Sequence, residues 1–577
     1  MLRPAWQPRY GPSWQGRGQV RFRIWSPSTE RAEVLLGDRR VALRRDPNGD
    51  HSGVASGVRP GDRYRLLLDD DGPFPDAWSR WQPDGVHGAS ALLPPPGASI
   101  RHRAVPRRAA QTTYELHIGT FTREGTYAAA GRKLRALRRL GVDTVQLMPV
   151  SEFAGLRNWG YDGAYLYAPT RAYGDPRKLR ALVEAAHRVG LAIILDVVYN
   201  HLGPDGAYVH RFAPEFFDMQ TRTPWGGAID YSRAAVRRTV IDAARWWIER
   251  YGFDGLRLDA VHAIQDRSPR HILADIAAAV RRGYRRAYVV AEDERNQRAV
   301  VAEHGVDAVL SDDFHHAVRV TLTGERDSYF ARYTPGAAPV ARAIGEGWLF
   351  QGRPGEPKGT PSSGLGADRF VFCLENHDQV GNRAHGRHLA GLVGPAAYRA
   401  ASSLLLLVPE RSLIFQGQEW ASQTHFFYFT DHAPELGRRI TAGRRREFQS
   451  FAEFREHPER IPDPQSPNTF ERSKVDWSEA RRSAAALRLY RELLRLRTQD
   501  PVLRRAELHT TRAWAIGEVV YVERRARGKC RLLLTALTGA AGVPPPEGRV
   551  LFHSEERRFG GSGRVVLDRP IAILVEP

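Results

Sequence analysis

Between residues 19 and 100, apolar and polar positions alternate over short runs, Gln19–Trp25, Ala32–Leu36 and Tyr64–Leu68, separated by Gly, Asp and Pro. A period of two predicts antiparallel strands with one buried face, and such strands close most simply into a small immunoglobulin-like β-sandwich over residues 1–100. Pro94-Pro95-Pro96-Gly97 stiffens the chain where that unit ends. From about residue 113 the pattern changes. Largely apolar runs now alternate with stretches of helical period, as expected of a parallel sheet buried on both sides by helices. Eight such runs occur: Tyr114–Ile118, Val142–Val150, Leu191–Tyr199, Phe253–Ala260, Ala287–Ala291, Ala308–Leu310, Phe370–Leu374 and Ser412–Phe415. Helices fit between them, one from Asp175 to Val189 with Leu179, Leu182, Val183 and Ala186 along one face, another from Ala234 to Arg250. Eight strand-helix units predict an α/β fold, a (β/α)8 TIM barrel spanning residues 101–500, although period alone leaves an open doubly wound sheet as the alternative.

The eighth run is followed by an aromatic-rich insertion, residues 420–477, and an amphipathic helix from Glu479 to Arg497. Residues 501–577 return to short strands such as Glu518–Val522 and Arg564–Leu567, predicting a C-terminal antiparallel β-sandwich.

Composition narrows the function classes. With 42% hydrophobic and 26% charged residues, the chain has the make-up of a soluble globular protein. The first residues, Met1 to Trp6, lack the apolar core of a leader, and runs such as Leu404–Val408 are too short to span a membrane, so a cytoplasmic protein without membrane association is expected. Two cysteines, Cys373 and Cys530, fall in different predicted domains and support neither a disulfide framework nor a cysteine zinc site. The net charge of +20 raises the question of nucleic acid. However, only Lys133, Lys178, Lys358, Lys474 and Lys529 are lysines. The other 80 of the 85 basic residues are arginines scattered in short runs without a nucleic-acid motif, so no nucleic-acid partner is expected.

In a barrel the reactive groups sit where strands end at the carboxyl face. Four predicted strands finish in acidic residues: Asp196-Val197-Val198-Tyr199-Asn200-His201, Gly255-Leu256-Arg257-Leu258-Asp259-Ala260-Val261-His262, Val290-Ala291-Glu292-Asp293 and Glu375-Asn376-His377-Asp378. Arg257 and Asp259, two apart, share a face of their strand, so the guanidinium would hold Asp259 ionised. Glu292 has no such neighbour in sequence, and burial would raise its pKa. Two carboxyls in unlike environments are what glycoside hydrolysis needs, one to give a proton to the leaving oxygen and one to attack the anomeric carbon. Taken singly, each strand end reads as a structural salt bridge; four together favour a site.

In order, the four segments resemble the signature regions of the α-amylase superfamily of glycoside hydrolases. That resemblance implies Asp259 as nucleophile, Glu292 as acid/base and Asp378 as transition-state stabiliser, with His201, Arg257 and His377 binding the sugar at the cleavage point. Trp159-Gly160-Tyr161-Asp162 looks like the segment whose tyrosine stacks on that sugar. His262 departs from the Lys-His pair of many amylases. Asn200 matches a calcium ligand of α-amylases, but no acidic loop accompanies it, and neither a metal nor another cofactor is predicted. Asp312-Asp313-Phe314-His315-His316 reads as a substrate-cleft loop rather than a metal cluster, since adjacent histidines on an extended chain point apart.

Four further segments, Ser79 to Gly88, Asp312 to His316, Glu375 to Arg383, and Pro462-Asp463-Pro464-Gln465 through Asp476-Trp477, resemble the malto-oligosyltrehalose trehalohydrolase family. The likeness runs from about residue 10 to the insertion and thins after residue 500. It implies a carbohydrate-binding-module-like N-terminal sandwich and substrate-binding roles for Tyr161, Asp162, His201, Arg257, His262, Asp313, His315, His377 and Arg383. It also implies malto-oligosyltrehalose and malto-oligosaccharides as substrates, functional coupling to a malto-oligosyltrehalose synthase, and a retaining mechanism that releases trehalose. Gln416-Gly417-Gln418-Glu419 stands where Met-Gly-Glu-Glu is expected, and Glu375 where Gln is expected, which puts local cleft contacts in question. A glycogen branching enzyme or general α-amylase would carry the same three carboxylates and remains the alternative. A glycan-binding protein on a degenerate barrel is disfavoured because all three are present.

Overall fold

The computed structural model describes residues 6–16, 18–95, 97, 111–223, 225–504, 511–544 and 546–577. The expected boundary at residues 100/101, Pro96, and the first five residues lie outside them.

Eight parallel strands, Thr112–Leu116, Thr144–Leu147, Ala192–Val197, Gly255–Leu258, Tyr288–Glu292, Ala308–Leu310, Phe370–Cys373 and Arg411–Phe415, close into a barrel in that order. The eighth pairs with the first, Leu413 opposite Thr113, which rules out the open sheet. Local signals set the covering helices. Pro176–Arg188 begins at Asp175, whose carboxylate accepts from the Arg177 and Lys178 amides, with Pro176 in the first turn, and it buries Leu179, Leu182, Val183 and Ala186. The last helix, Ala484–Gln499, buries Leu489, Tyr490 and Leu493, and its Arg497 caps the carbonyls of Leu406 and Val408.

Ahead of the barrel, Gln19–Trp25 alternates exposed and buried side chains and pairs with Gly11–Gly16 and Asp50–Ser56, while Ala32–Leu36 pairs with Arg39–Arg45 and Arg63–Leu68. Arg39–Arg45 also pairs with Asp50–Ser56, so these strands form one continuous sheet rather than two separate ones, and the Phe22 ring meets Tyr64 across it at 4.9 Å. Trp78 fastens this unit to the barrel through a hydrogen bond to Thr239.

The C-terminal region differs from expectation. It is one five-stranded antiparallel sheet, Thr511–Ile516, Val519–Ala526, Lys529–Ala536, Ile571–Glu576 and Arg549–His553 in spatial order. Arg564–Leu567 is not a strand. Val520, Val522, Leu533 and Leu574 pack into the main core, whereas Val519, Leu534, Ile573 and Val575 on the opposite face are covered by Leu567 and its neighbours. An apolar run reads alike whether it pairs in a sheet or lies across one.

Among the described residues, no helix is long and apolar enough to cross a membrane.

Candidate active site

At the carboxyl end of the barrel the fourth and fifth strands run in register, Leu258 opposite Ala291, which brings Asp259 level with Glu292. Arg257 lies beneath them, wholly buried. Its Nη1 donates to Asp259 Oδ1 at 2.6 Å and to both oxygens of Asp196 at 2.9 Å. Its Nη2 lies 2.8 Å from Glu292 Oε2. The sequence placed Arg257 beside Asp259 alone; the next strand brings Glu292 within reach of the same guanidinium, a neighbour that spacing along one strand cannot reveal.

The two carboxyls nevertheless diverge. Burial works against the charge of Asp259, but Arg257, the Asn200 amide at 2.9 Å and His201 outweigh it and hold this carboxyl below its ordinary range. For Glu292 burial dominates and, helped by the charges of Asp259, Asp378 and Asp312, pushes it up to about 8 against the pull of Arg257. Ala260, with φ +38°, turns the chain after the fourth strand so that its backbone N–H donates to Glu292 Oε2 at 3.0 Å.

Asp378 lies on the short helix His377–Gly381, which is capped by the Asn376 side chain. His377 accepts no freedom of its own: Nδ1 and the backbone amide both bond Glu115, at 2.9 and 3.0 Å. Burial disfavours its charge, yet Asp378 and Glu115 raise it to about 9, so it is an imidazolium at neutral pH. Both ring nitrogens then donate, Nδ1 to Glu115 and Nε2 to Tyr161 Oη at 2.7 Å, and the tyrosine donates onward to Asp196 at 2.8 Å. Tyr161 reaches this position because Gly160 turns at φ +104°, where a Cβ would lie 2.1 Å from the Pro149 carbonyl. His201 donates to the Tyr161 carbonyl at 3.0 Å and is covered by Trp225, with parallel rings 4.0 Å apart.

These groups open into a cleft of about 650 Å³. Of the residues expected from the sequence, Asp259, Glu292, Asp378, Tyr161, Asp162, His201, His262 and His377 line it. Arg257 supports it from below. Three expected substrate contacts lie elsewhere. Asp313 is buried behind the wall, accepting from the Leu349 and Phe350 amides, Asn296 and Tyr333. His315 is also buried, bonded to the Leu374 carbonyl. Arg383 pairs with Glu325 and stacks on Phe451 at 4.4 Å in a neighbouring recess. The reason is local: Asp312–Thr323 is a helix, not a loop, so Asp312 and His316, four apart, share the face that lines the cleft, and Asp313 and His315 turn inward.

The unexpected residues at 375, 416 and 418 are absorbed away from the cleft, Gln416 accepting from the His117 amide and donating to Thr120. Glu375 bonds His388 and the Leu389 amide at 2.7 Å, and Gln418 bonds Tyr490 and the Phe415 amide. Sequence reasoning missed Glu115, Trp225, Lys358, Tyr333 and Arg444. Only Glu115, an isolated carboxylate in a barrel strand, carried a signal that could have found it. Among the described residues, no three His, Cys, Asp or Glu side chains gather as candidate metal ligands. Asn200 Nδ2 donates to Asp259 Oδ2 at 2.9 Å.

A (β/α)8 barrel with three carboxylates at its carboxyl face, two of them sharing one buried arginine, defines a glycoside hydrolase of the α-amylase class. The alpha-amylase catalytic-domain family model matches residues 74–223. A malto-oligosyltrehalose trehalohydrolase from Deinococcus radiodurans is 40% identical over 96% of this chain and 94% of its own, and one from Saccharolobus solfataricus is 38% identical over 83% and 85%. The chain belongs to the malto-oligosyltrehalose trehalohydrolase family. The crystal structure of an alpha-amylase-type protein from Salmonella typhimurium superposes with a TM-score of 0.90 at 35% identity, covering 99% of this chain and all of that one. A Bacillus subtilis pullulanase shares the fold, with a TM-score of 0.75 at 17% identity over 99% of this chain and 86% of its own.

Proposed function

We propose that this enzyme hydrolyses the α-1,4 bond joining a malto-oligosyl chain to a terminal trehalose and releases trehalose with retention at the anomeric carbon. The observation that carries the chemistry is the placement of Asp259 and Glu292 at the ends of adjacent strands over one buried arginine, where burial and neighbouring charges favour the ionised form of Asp259 and the protonated form of Glu292. Asp259 attacks the anomeric carbon while Glu292 protonates the departing trehalose oxygen. Glu292, now a carboxylate, then takes a proton from water as that water opens the glycosyl-enzyme. Arg257, bonded to Asp259 through Nη1 and 2.8 Å from Glu292 through Nη2, ties the two carboxyls to one guanidinium, and retention requires them to flank the scissile bond about 5–5.5 Å apart. Asp378 faces the cleft as a further negative group for the oxocarbenium-like transition state. Tyr161, with the His377 imidazolium behind it, and His201 offer ring and polar contacts to the sugar.

The choice of trehalose as leaving group rests on the relatives' names, which cover most of both chains; a branching enzyme from Nitrobacter winogradskyi aligns with only 42% of this chain and 37% of its own. Such a substrate must be supplied by a synthase that rearranges the reducing end of a malto-oligosaccharide into trehalose. Incubation with maltotriosyl-trehalose and, separately, maltopentaose tests the reading. Trehalose should be released preferentially; equal cleavage of maltopentaose points to a general α-amylase, and chain transfer to a branching enzyme.

A further inference from the structure

Asp378 sits at the start of a five-residue helix with its side chain one-third exposed. Its Oδ2 lies 3.5 Å from His377 Nε2, and its Oδ1 accepts a hydrogen bond from Asn382 Nδ2 at 2.9 Å. A side-chain amide presents a donor at one end and an acceptor at the other, so whatever bonds its oxygen decides which end faces Asp378. That partner comes from the insertion. Arg444, on the helix Pro434–Glu447, donates from Nη2 to Asn382 Oδ1 at 2.8 Å and to the Gly381 carbonyl at 3.0 Å. The guanidinium is itself held over the rings of Tyr428, at 3.9 Å, and Phe448, at 4.7 Å.

We propose that Arg444 is a positioning residue for the reaction: it locks the Asn382 amide with its nitrogen toward Asp378 and so fixes the rotamer of the third carboxylate. A guanidinium carries donors only, so it cannot bond the amide nitrogen, and the flipped amide would set an acceptor against Asp378 and a donor against Arg444. The insertion thus takes part in catalysis through Asn382, from an arginine that also lies in the wall of the cleft. The idea rests on the reading of the three carboxylates given above.

Arg444→Gln offers both a donor and an acceptor and so accepts either orientation of Asn382, whereas Arg444→Lys remains a donor only. Trehalose release from maltotriosyl-trehalose is measured for both, alone and with Asn382→Ala, alongside thermal unfolding. The Gln variant should lose about tenfold in kcat with KM changed less than about twofold, because small misplacement of a reacting group is costly. The Lys variant should stay within about threefold, and in the Asn382→Ala background Arg444→Gln should cost less than about twofold more, since the two residues act as one unit. If Arg444→Gln does not fold, Tyr428→Leu, which loosens the guanidinium without removing it, is put through the same cycle and should show a kcat loss that Asn382→Ala abolishes. Equal losses for Gln and Lys, a loss that persists without Asn382, or an effect confined to KM overturns the proposal. A wild-type enzyme that releases no trehalose sinks the functional reading instead.

Discussion

Replacing Glu292 by Gln removes the proton donor while keeping the shape of the side chain. Burial pushes the Glu292 carboxyl up to about 8, so the protonated form predominates at pH 7, where a carboxyl at its ordinary value would be almost wholly ionised. Loss of a general acid costs about 10²–10⁴-fold, or about 3–5.5 kcal/mol of barrier, when the leaving group is a sugar alkoxide. Fluoride leaves without a proton. With α-maltosyl fluoride, Glu292→Gln should therefore release about one equivalent of fluoride rapidly and then stall, because the amide cannot activate water to open the glycosyl-enzyme. With malto-oligosyltrehalose the same variant should be slow from the first turnover. Rapid-quench measurement of fluoride and trehalose separates the two steps. Trehalose release reduced less than tenfold, or a fluoride substrate cleaved no faster than the natural one, would refute the assignment of Glu292 as acid/base.

The protonated form of Glu292 is the working one, so kcat/KM of the wild-type enzyme should fall as pH rises through about 8, and a profile flat to pH 10 contradicts this. Asp259→Asn should lower kcat by at least about 10⁴-fold, as removal of a nucleophile does elsewhere, with thermal unfolding showing the fold intact. Trp225→Ala uncovers His201 in the cleft and should raise KM about two- to tenfold, from an aromatic contact of about 0.5–1.5 kcal/mol, while kcat changes less. Asp313→Ala orphans the buried Leu349 and Phe350 amides, and at about 1–3 kcal/mol for each should destabilise the protein by at least about 2 kcal/mol in urea unfolding; an unchanged midpoint would show that Asp313 does not brace the wall.

Much of this protein was legible in its sequence. The eight apolar runs are the eight barrel strands, each displaced by a few residues at most, because a strand buried on both faces must be apolar throughout and little else in a soluble chain is. Asp259, Glu292 and Asp378 were legible for a related reason. A carboxylate at the end of such a run has no place in a core and, repeated over several strands, must converge with the others at one face of a closed barrel. The pairing of Arg257 with Asp259 followed from two-residue periodicity alone.

What the sequence left open depended on contacts between elements distant along the chain. The helical start at Asp312 decides that Asp312 and His316, not Asp313 and His315, face the cleft, and five residues are too few for strand and helix periods to be told apart. Glu115 joins His377 across 262 positions, and Arg444 reaches Asn382 across 62. The unlike pull on Asp259 and Glu292 arises from burial and from charges carried by strands, strand ends and helices that meet at one end of the barrel. Local pattern records which side chains must be hidden and which cannot be, whereas the partners that set a buried group's charge and orientation are brought together only when the barrel closes and the insertion folds over its end.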